Sequence, residues 1–167
     1  MRVLGIDCGS ESTGYGVVEE TAGGRLTCHA TGAIQLKTGT PMAARLQKIF
    51  AELTAIITEH RPEIVAIEDV FYAVNVKTAL KLGQVRGVAM LAASVSGLQV
   101  AEYSPLSIKS AVAGYGRAEK HQVQQMVTRL LNLSTLPEPT DASDALAIAI
   151  CHIHTASTKS RYEAATS

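Results

Sequence analysis

The sequence predicts an α/β domain built on a mixed five-stranded sheet with helices on both faces. Two patterns predict it. The first third of the chain reads as three consecutive short strands, the second and third joined by Gly23-Gly24, a hairpin signal. Thereafter helical and strand periodicities alternate, as in units whose crossovers place strands parallel. A third observation locates the centre of the sheet. Glu63-Ile-Val-Ala-Ile-Glu68 is an apolar run without alternation, the pattern of a strand covered on both faces.

Each element follows from local chemistry. Residues 2–7 are branched and apolar and form the first strand, closed by the Gly/Ser/Thr-rich turn after Asp7. Residues 14–20 and 25–36 complete an antiparallel meander. Thr40-Pro41 is a helix start, a capping Thr followed by Pro at the first position. Met42, Leu46, Ile49, Phe50, Leu53, Ile56 and Ile57 recur at helical spacing until Pro62. The fourth strand, 63–68, leads to a connection carrying Phe71 and Tyr72. Asn75 caps a long helix reaching about Ser96. Gly83 and Gly87 lie four apart on it, leaving one face smooth enough for close approach, either by its own sheet or by a second subunit. Residues 99–103 form a fifth strand and 105–113 a short helix broken by Gly114-Tyr-Gly116. A helix over 118–131, a linker with Pro137 and Pro139, and a last helix over 141–154 follow. The chain thus divides into one domain, 1–155, and a flexible tail, 156–167.

Composition narrows the class. With 167 residues and 47% hydrophobic content the chain can bury a full core, and at 4% aromatics without Trp that core is aliphatic. Formal net charge is zero, so charge placement decides what could bind. Between 104 and 131 the only acid is Glu119, against Lys109, Arg117, Lys120 and Arg129. The three widely spaced cysteines, Cys8, Cys28 and Cys151, suit a reducing compartment. The first residues are too short a run for a signal peptide, and no apolar stretch nears the roughly 20 residues of a bilayer span. A soluble, cytoplasmic protein is expected.

Four carboxylates carry the chemistry. Asp7 and Glu68 each end an apolar strand, where open α/β sheets place ligands. Asp141 and Asp144 are three apart at a helix start, on one face. Taken alone, these two are accounted for by the helix dipole, and a strand-end acid by its turn. In combination they say more. If the last helix packs its start across the strand ends, four negative charges meet, and a divalent metal resolves their repulsion. Hard Mg²⁺ (or Mn²⁺) prefers such oxygen ligands. A pair of ions about 4 Å apart would serve phosphodiester hydrolysis.

Five stretches extend this reading. They are Arg2-Val-Leu-Gly-Ile-Asp7-Cys-Gly-Ser with Thr13-Gly-Tyr-Gly16, Ala66-Ile-Glu68-Asp-Val-Phe71, Ala79-Leu-Lys-Leu-Gly-Gln-Val-Arg-Gly87, Ala118-Glu-Lys120-His-Gln-Val-Gln124, and Asp141-Ala-Ser-Asp144-Ala-Leu-Ala-Ile-Ala149. In this order the chain resembles the RuvC family of bacterial Holliday junction resolvases, from Met1 to about His154. The resemblance implies an RNase H-like fold, a homodimer, and metal-dependent cutting of four-way DNA junctions in recombination and repair. Paired symmetric nicks would leave 5′-phosphate and 3′-hydroxyl ends. A branch-migration motor of the RuvA–RuvB kind is the implied partner. On the matched positions Asp7, Glu68, Asp141 and Asp144 are the catalytic, metal-binding set. Lys109 and Lys120 match lysines near the DNA and the scissile phosphate, and Phe71 an aromatic that stacks on an unpaired base. Lys77, Lys81 and Arg86 are further candidates for phosphate contact. Without the resemblance each lysine is better explained as a solvated surface residue, and Phe71 equally well as a core ring.

Cys8 departs from the family, which usually has Pro there. A looser turn and a thiol beside the metal site are therefore expected. Cys151, His152 and His154 face different ways on a helix and do not share a metal. Ser10, Ser12 and Thr13 read as turn and strand-start residues. Two other classes compete. ATPases of the actin, Hsp70 and sugar-kinase group also open with strand-Asp-x-Gly-Ser/Thr, but need a second such lobe, for which this chain has no motif. A junction binder without catalysis would gain nothing from four acids facing phosphates.

Overall fold

The computed structural model describes residues 1–69 and 75–166. Five strands, β1 (Arg2–Cys8), β2 (Ser12–Glu20), β3 (Leu26–Gln35), β4 (Ile64–Glu68) and β5 (Gln99–Tyr103), form one sheet in the order β3-β2-β1-β4-β5. β1–β2 and β2–β3 pair antiparallel; β1–β4 and β4–β5 pair parallel. The mixed sheet read from the sequence is the one observed.

Helices cover both faces. α1 (Met42–His60) and α2 (Val76–Val95) pack on one, against Leu4, Ile6, Val17, Val65 and Ile67. α3 (Pro105–Ala113), α4 (Lys120–Leu130) and α5 (Thr140–Thr166) cover the other, against Val3, Val18 and Ala66. The division follows from strand alternation, because Val3, Gly5 and Asp7 point one way and Leu4, Ile6 and Cys8 the other.

Helix starts follow local chemistry with one exception. Asn75 accepts from the Thr78 N–H at 2.9 Å, and the Ser104 hydroxyl from the Ser107 N–H at 3.1 Å. At α1, however, Pro41 is the cap residue and Thr40 makes no side-chain cap. Arg45 fastens this corner instead, donating to the carbonyls of Thr40, Ser10 and Lys37.

α5 also differs from its expected extent. It continues past His154 to Thr166 as one helix of 27 residues. The hydroxyls of Thr155, Thr158 and Thr166 bond back to carbonyls four residues earlier, and Lys159 pairs with Glu163 one turn on. Its first half, by contrast, is buried almost all round, from Ala142 to Ile153.

Two surfaces in close contact explain that burial. A Cβ on Gly5 would lie 2.0 Å from the Ala145 carbonyl oxygen, and one on Gly14 would lie 2.0 Å from that of Asp141. The sheet offers bare backbone and the helix offers alanines, so α5 seats directly on β1 and β2.

Candidate active site

That seating brings the acids together. Asp7 lies one residue before the end of β1, on the α5 face, and the β1–β4 register, Ile6 opposite Ile67, puts Glu68 beside it on the same face. α5 crosses these ends with its first turn. Carboxylate oxygens of Asp7, Asp141 and Asp144 lie within 4.8 Å of one another. Glu68 stands next to this trio and lines a cleft of about 330 Å³ with Asp144, Lys109, Lys120, Ile108 and Val123.

The electrostatics are those of crowded acids. Burial, then Asp144, Glu68 and Asp141, push the Asp7 carboxyl from its ordinary 3.8 up to about 7. Burial and Asp144 likewise raise Glu68, while Lys109 and Lys120 act to lower it. Lys120 Nζ lies 2.7 Å from Asp144 Oδ2. Burial lowers the Lys120 pKa, but this hydrogen bond and the charges of Asp144, Asp7 and Asp141 outweigh it, so the ammonium is held above its usual range. A capping box sets the lysine in place: Gln122 Oε1 accepts from the Glu119 N–H at 2.9 Å and from the Tyr115 hydroxyl at 2.6 Å.

Three clustered carboxylates with, among the described residues, no cation but Lys120 in contact suit a hard divalent ion. Asp7, with its carboxyl raised by burial and by neighbours of like charge, is the group whose repulsion such an ion would relieve.

A family model described as crossover junction endodeoxyribonuclease RuvC matches residues 3–152. The chain belongs to the RuvC family. The RuvC of Koribacter versatilis is 63% identical over 164 residues, 98% of this chain and 99% of that one. The RuvC of Pelotomaculum thermopropionicum is 52% identical over 154 residues, 92% and 93% of the two chains. Among solved structures, T. thermophilus RuvC in complex with a Holliday junction substrate matches with a TM-score of 0.87 and 31% identity, over 95% of this chain and 96% of that one. The fold is RNase H-like, as the resemblance implied, and the RuvC pattern spans nearly the whole chain.

Other family positions are placed unequally. Lys109 is half-buried on α3 at the cleft, and Lys77 is exposed at the start of α2. Phe71 lies outside the described residues. Arg86 turns to two carboxylates: it bonds Glu102 Oε2 and lies 3.5 Å from Asp69 Oδ1.

Cys8 is corrected outright. β1 runs through it, so strand alternation turns its side chain to the face opposite Asp7, into the α1–α2 core. Burial pushes its thiol up to about 12, which leaves it unreactive. Cys8 pairs with Thr13 across the β1–β2 ladder.

Ser12 was read as a strand-start residue, yet its hydroxyl donates to Asp141 Oδ2. No local signal could have found this, because the partners are 129 residues apart. Cys151, His152 and His154 do part: Cys151 is in the core, His152 Nδ1 shares a 2.8 Å hydrogen bond with the Tyr103 hydroxyl, and His154 Nδ1 donates to Ala111 O. A larger groove, about 810 Å³, lies between the far half of α5 and the end of the β2–β3 hairpin. Among the described residues Glu20 is its one lining carboxylate, and that acid already accepts from Ser157, so the groove lacks the clustered acids of the cleft.

Proposed function

We propose that this chain is a crossover junction endodeoxyribonuclease that resolves four-way DNA junctions by hydrolysing one phosphodiester on each of two opposing strands. The observation that carries the reading is the Asp7, Asp141 and Asp144 cluster, flanked by Glu68 and a lysine pair, in a chain of the RuvC family.

Asp7, Asp141, Asp144 and Glu68 would hold Mg²⁺ or Mn²⁺, two ions per site, supplying a Lewis acid for the attacking water and the leaving oxygen. The chain's own residues do the rest. Ser12 and Lys120 hold Asp141 and Asp144 in fixed orientations by direct hydrogen bonds. Lys120 and Lys109 offset charge that develops on the phosphate. They hold the backbone without reading its sequence. Phe71, two residues beyond Asp69, is the candidate to stack on an unpaired base at the crossover. The products are 5′-phosphate and 3′-hydroxyl ends. Replacing Lys120 by Met should slow cleavage of bound junction roughly 10²-fold. Junction affinity should fall less than threefold, roughly the loss of one phosphate contact. A gel-shift titration beside single-turnover cleavage checks both.

Paired nicks need two sites, and α2 supplies a face for a second copy of the chain. Val76, Leu80, Leu91 and Val95 are between 52% and 77% exposed along it. A Cβ on Gly83 or Gly87 would meet nothing within 4 Å, so this smooth strip faces outward and not the sheet. An apolar strip on the outside of a helix marks an interface. Substituting Leu80→Glu together with Leu91→Glu should convert dimers to monomers in light scattering. It should also replace paired nicks by single, uncoordinated ones.

A RuvA–RuvB branch-migration complex is the partner that would deliver junctions, in the cytoplasm. Among the described residues no helix is long and apolar enough to cross a membrane. The decisive experiment compares a synthetic four-way junction with a linear duplex of the same arms, in Mg²⁺ or Mn²⁺. Ligatable paired nicks on the junction alone support the reading. Tight binding without nicking in either metal would leave a junction binder and overturn it.

A further inference from the structure

Arg86 has a place in the fold that the carboxylate cluster does not use. It sits on the flank of α2, between the open strip at Gly83 and Gly87 and the buried strip at Val85 and Ala89. Its side chain is only 20% exposed, and its Nε is buried without a partner. Its Nη2 reaches two acids on two strand ends: Glu102 Oε2 on β5, and Asp69 Oδ1, at 3.5 Å, one residue past β4. Drawing a guanidinium this far from water is costly unless paired charges hold it in one place.

The acid it reaches is next to Glu68. Asp69 N–H donates to the Tyr103 carbonyl at 2.8 Å, so the β4–β5 ladder runs one residue beyond Glu68. Alternation then turns Glu68 to the α5 face and Asp69 to the α2 face. Glu68 is thus held from behind. Without Arg86, Asp69 and Glu102 would confront each other as like charges on neighbouring strand ends and push the end of β4 away from β5.

We infer that Arg86 is a positioning residue that clasps the ends of β4 and β5 through Asp69 and Glu102, and so fixes the Glu68 carboxylate for the metal. The inference rests on the proposed role of Glu68 as a metal ligand. It also joins α2, whose outer strip is the proposed dimer face, to the strand end that carries that ligand.

The test uses full-length protein with Arg86→Met, Asp69→Asn, and the neutral triple variant Arg86→Met/Asp69→Asn/Glu102→Gln. Mn²⁺ affinity is measured by calorimetry without DNA, beside junction affinity and single-turnover cleavage. Loss of an outer-shell partner typically weakens metal affinity or activity about 10- to 100-fold, and Arg86→Met is expected in that range for both. Junction affinity should stay within about threefold, since no phosphate contact is lost. The triple variant, which lacks the confronting charges, should recover most of the Mn²⁺ affinity. If Arg86→Met does not fold, Asp69→Asn alone should still weaken Mn²⁺ binding. Unchanged Mn²⁺ affinity in a folded Arg86→Met or Asp69→Asn protein overturns the inference. So does weakened junction binding with normal cleavage once bound, which would make Arg86 a phosphate contact. A wild-type protein that binds Mn²⁺ but nicks no junction would sink the nuclease reading instead, and the calorimetry would still decide the role of Arg86.

Discussion

Asp7→Asn should abolish junction nicking while junction binding persists. Asn keeps the shape of the side chain but offers a neutral, weaker ligand at the centre of the cluster, where Asp141 and Asp144 both approach. A metal ion stabilises a phosphoryl transition state by several kcal/mol, so a fall of roughly 10³-fold or more is expected. The same substitution has a second, metal-free signature. The folded carboxyl titrates near 7 against an ordinary 3.8, for burial first and then the charges of Asp144, Glu68 and Asp141. A raised carboxyl contributes stability that is fully present below the unfolded value and lost as pH rises through the folded one. With chelator present, wild type should therefore lose roughly 2–3 kcal/mol between pH 5 and pH 8 from this group. Asp7→Asn should lose far less, and Mg²⁺ should restore wild type at pH 8 but not the variant. Denaturant melts at the two pH values check this. Equal melts for the two proteins at both pH values would show that Asp7 carries no such strain, and near-normal cleavage by Asp7→Asn would remove it from the chemistry.

The second large effect comes from a residue with no side chain. Gly14→Ala puts a Cβ 2.0 Å from the Asp141 carbonyl oxygen and 2.4 Å from its carbon. Backbone atoms cannot rotate out of the way, so the first turn of α5 must lift from β2. Overpacking of this kind costs about 1–3 kcal/mol and sometimes more. The functional loss should be larger than the stability loss suggests. Asp141 and Asp144 ride on that turn, and a displacement of about 1 Å in a reacting geometry can lower a rate by roughly 10²-fold. Gly23→Ala is the control, because a Cβ there meets nothing within 4 Å. Thermal melts and cleavage rates of the two variants should diverge. A Gly14→Ala protein with wild-type melting and cleavage would mean that α5 does not need its close seat.

The two predictions depend on different kinds of information. Asp7 was legible in the sequence, since a carboxylate that closes a branched apolar run and opens a Gly/Ser turn marks its own strand end. The same holds for Glu68, for the cap at Asn75, and for the meander with its Gly23-Gly24 hairpin. The family motifs then picked out Lys109 and Lys120, which do line the cleft. Less was legible where a partner is distant. Ser12 looked like a turn residue until Asp141 arrived from 129 positions away. Arg86 reads from the sequence only as a candidate for phosphate contact, and its acids Asp69 and Glu102 stand at the ends of two different strands. Cys8 was placed beside the site by adjacency in sequence, whereas one step along a strand reverses the side chain.

The sequence by itself determined the order and type of the elements, the end of β4, and the family, because periodicity, turn chemistry and motif spacing are carried by near neighbours. Only the tertiary structure decided that three carboxylates fall within 4.8 Å, that Lys120 reaches Asp144, and that α5 runs on to Thr166. Those outcomes depend on how closely a helix can approach a sheet and at what register. Glycines and alanines on facing surfaces set that approach, and no local window contains both.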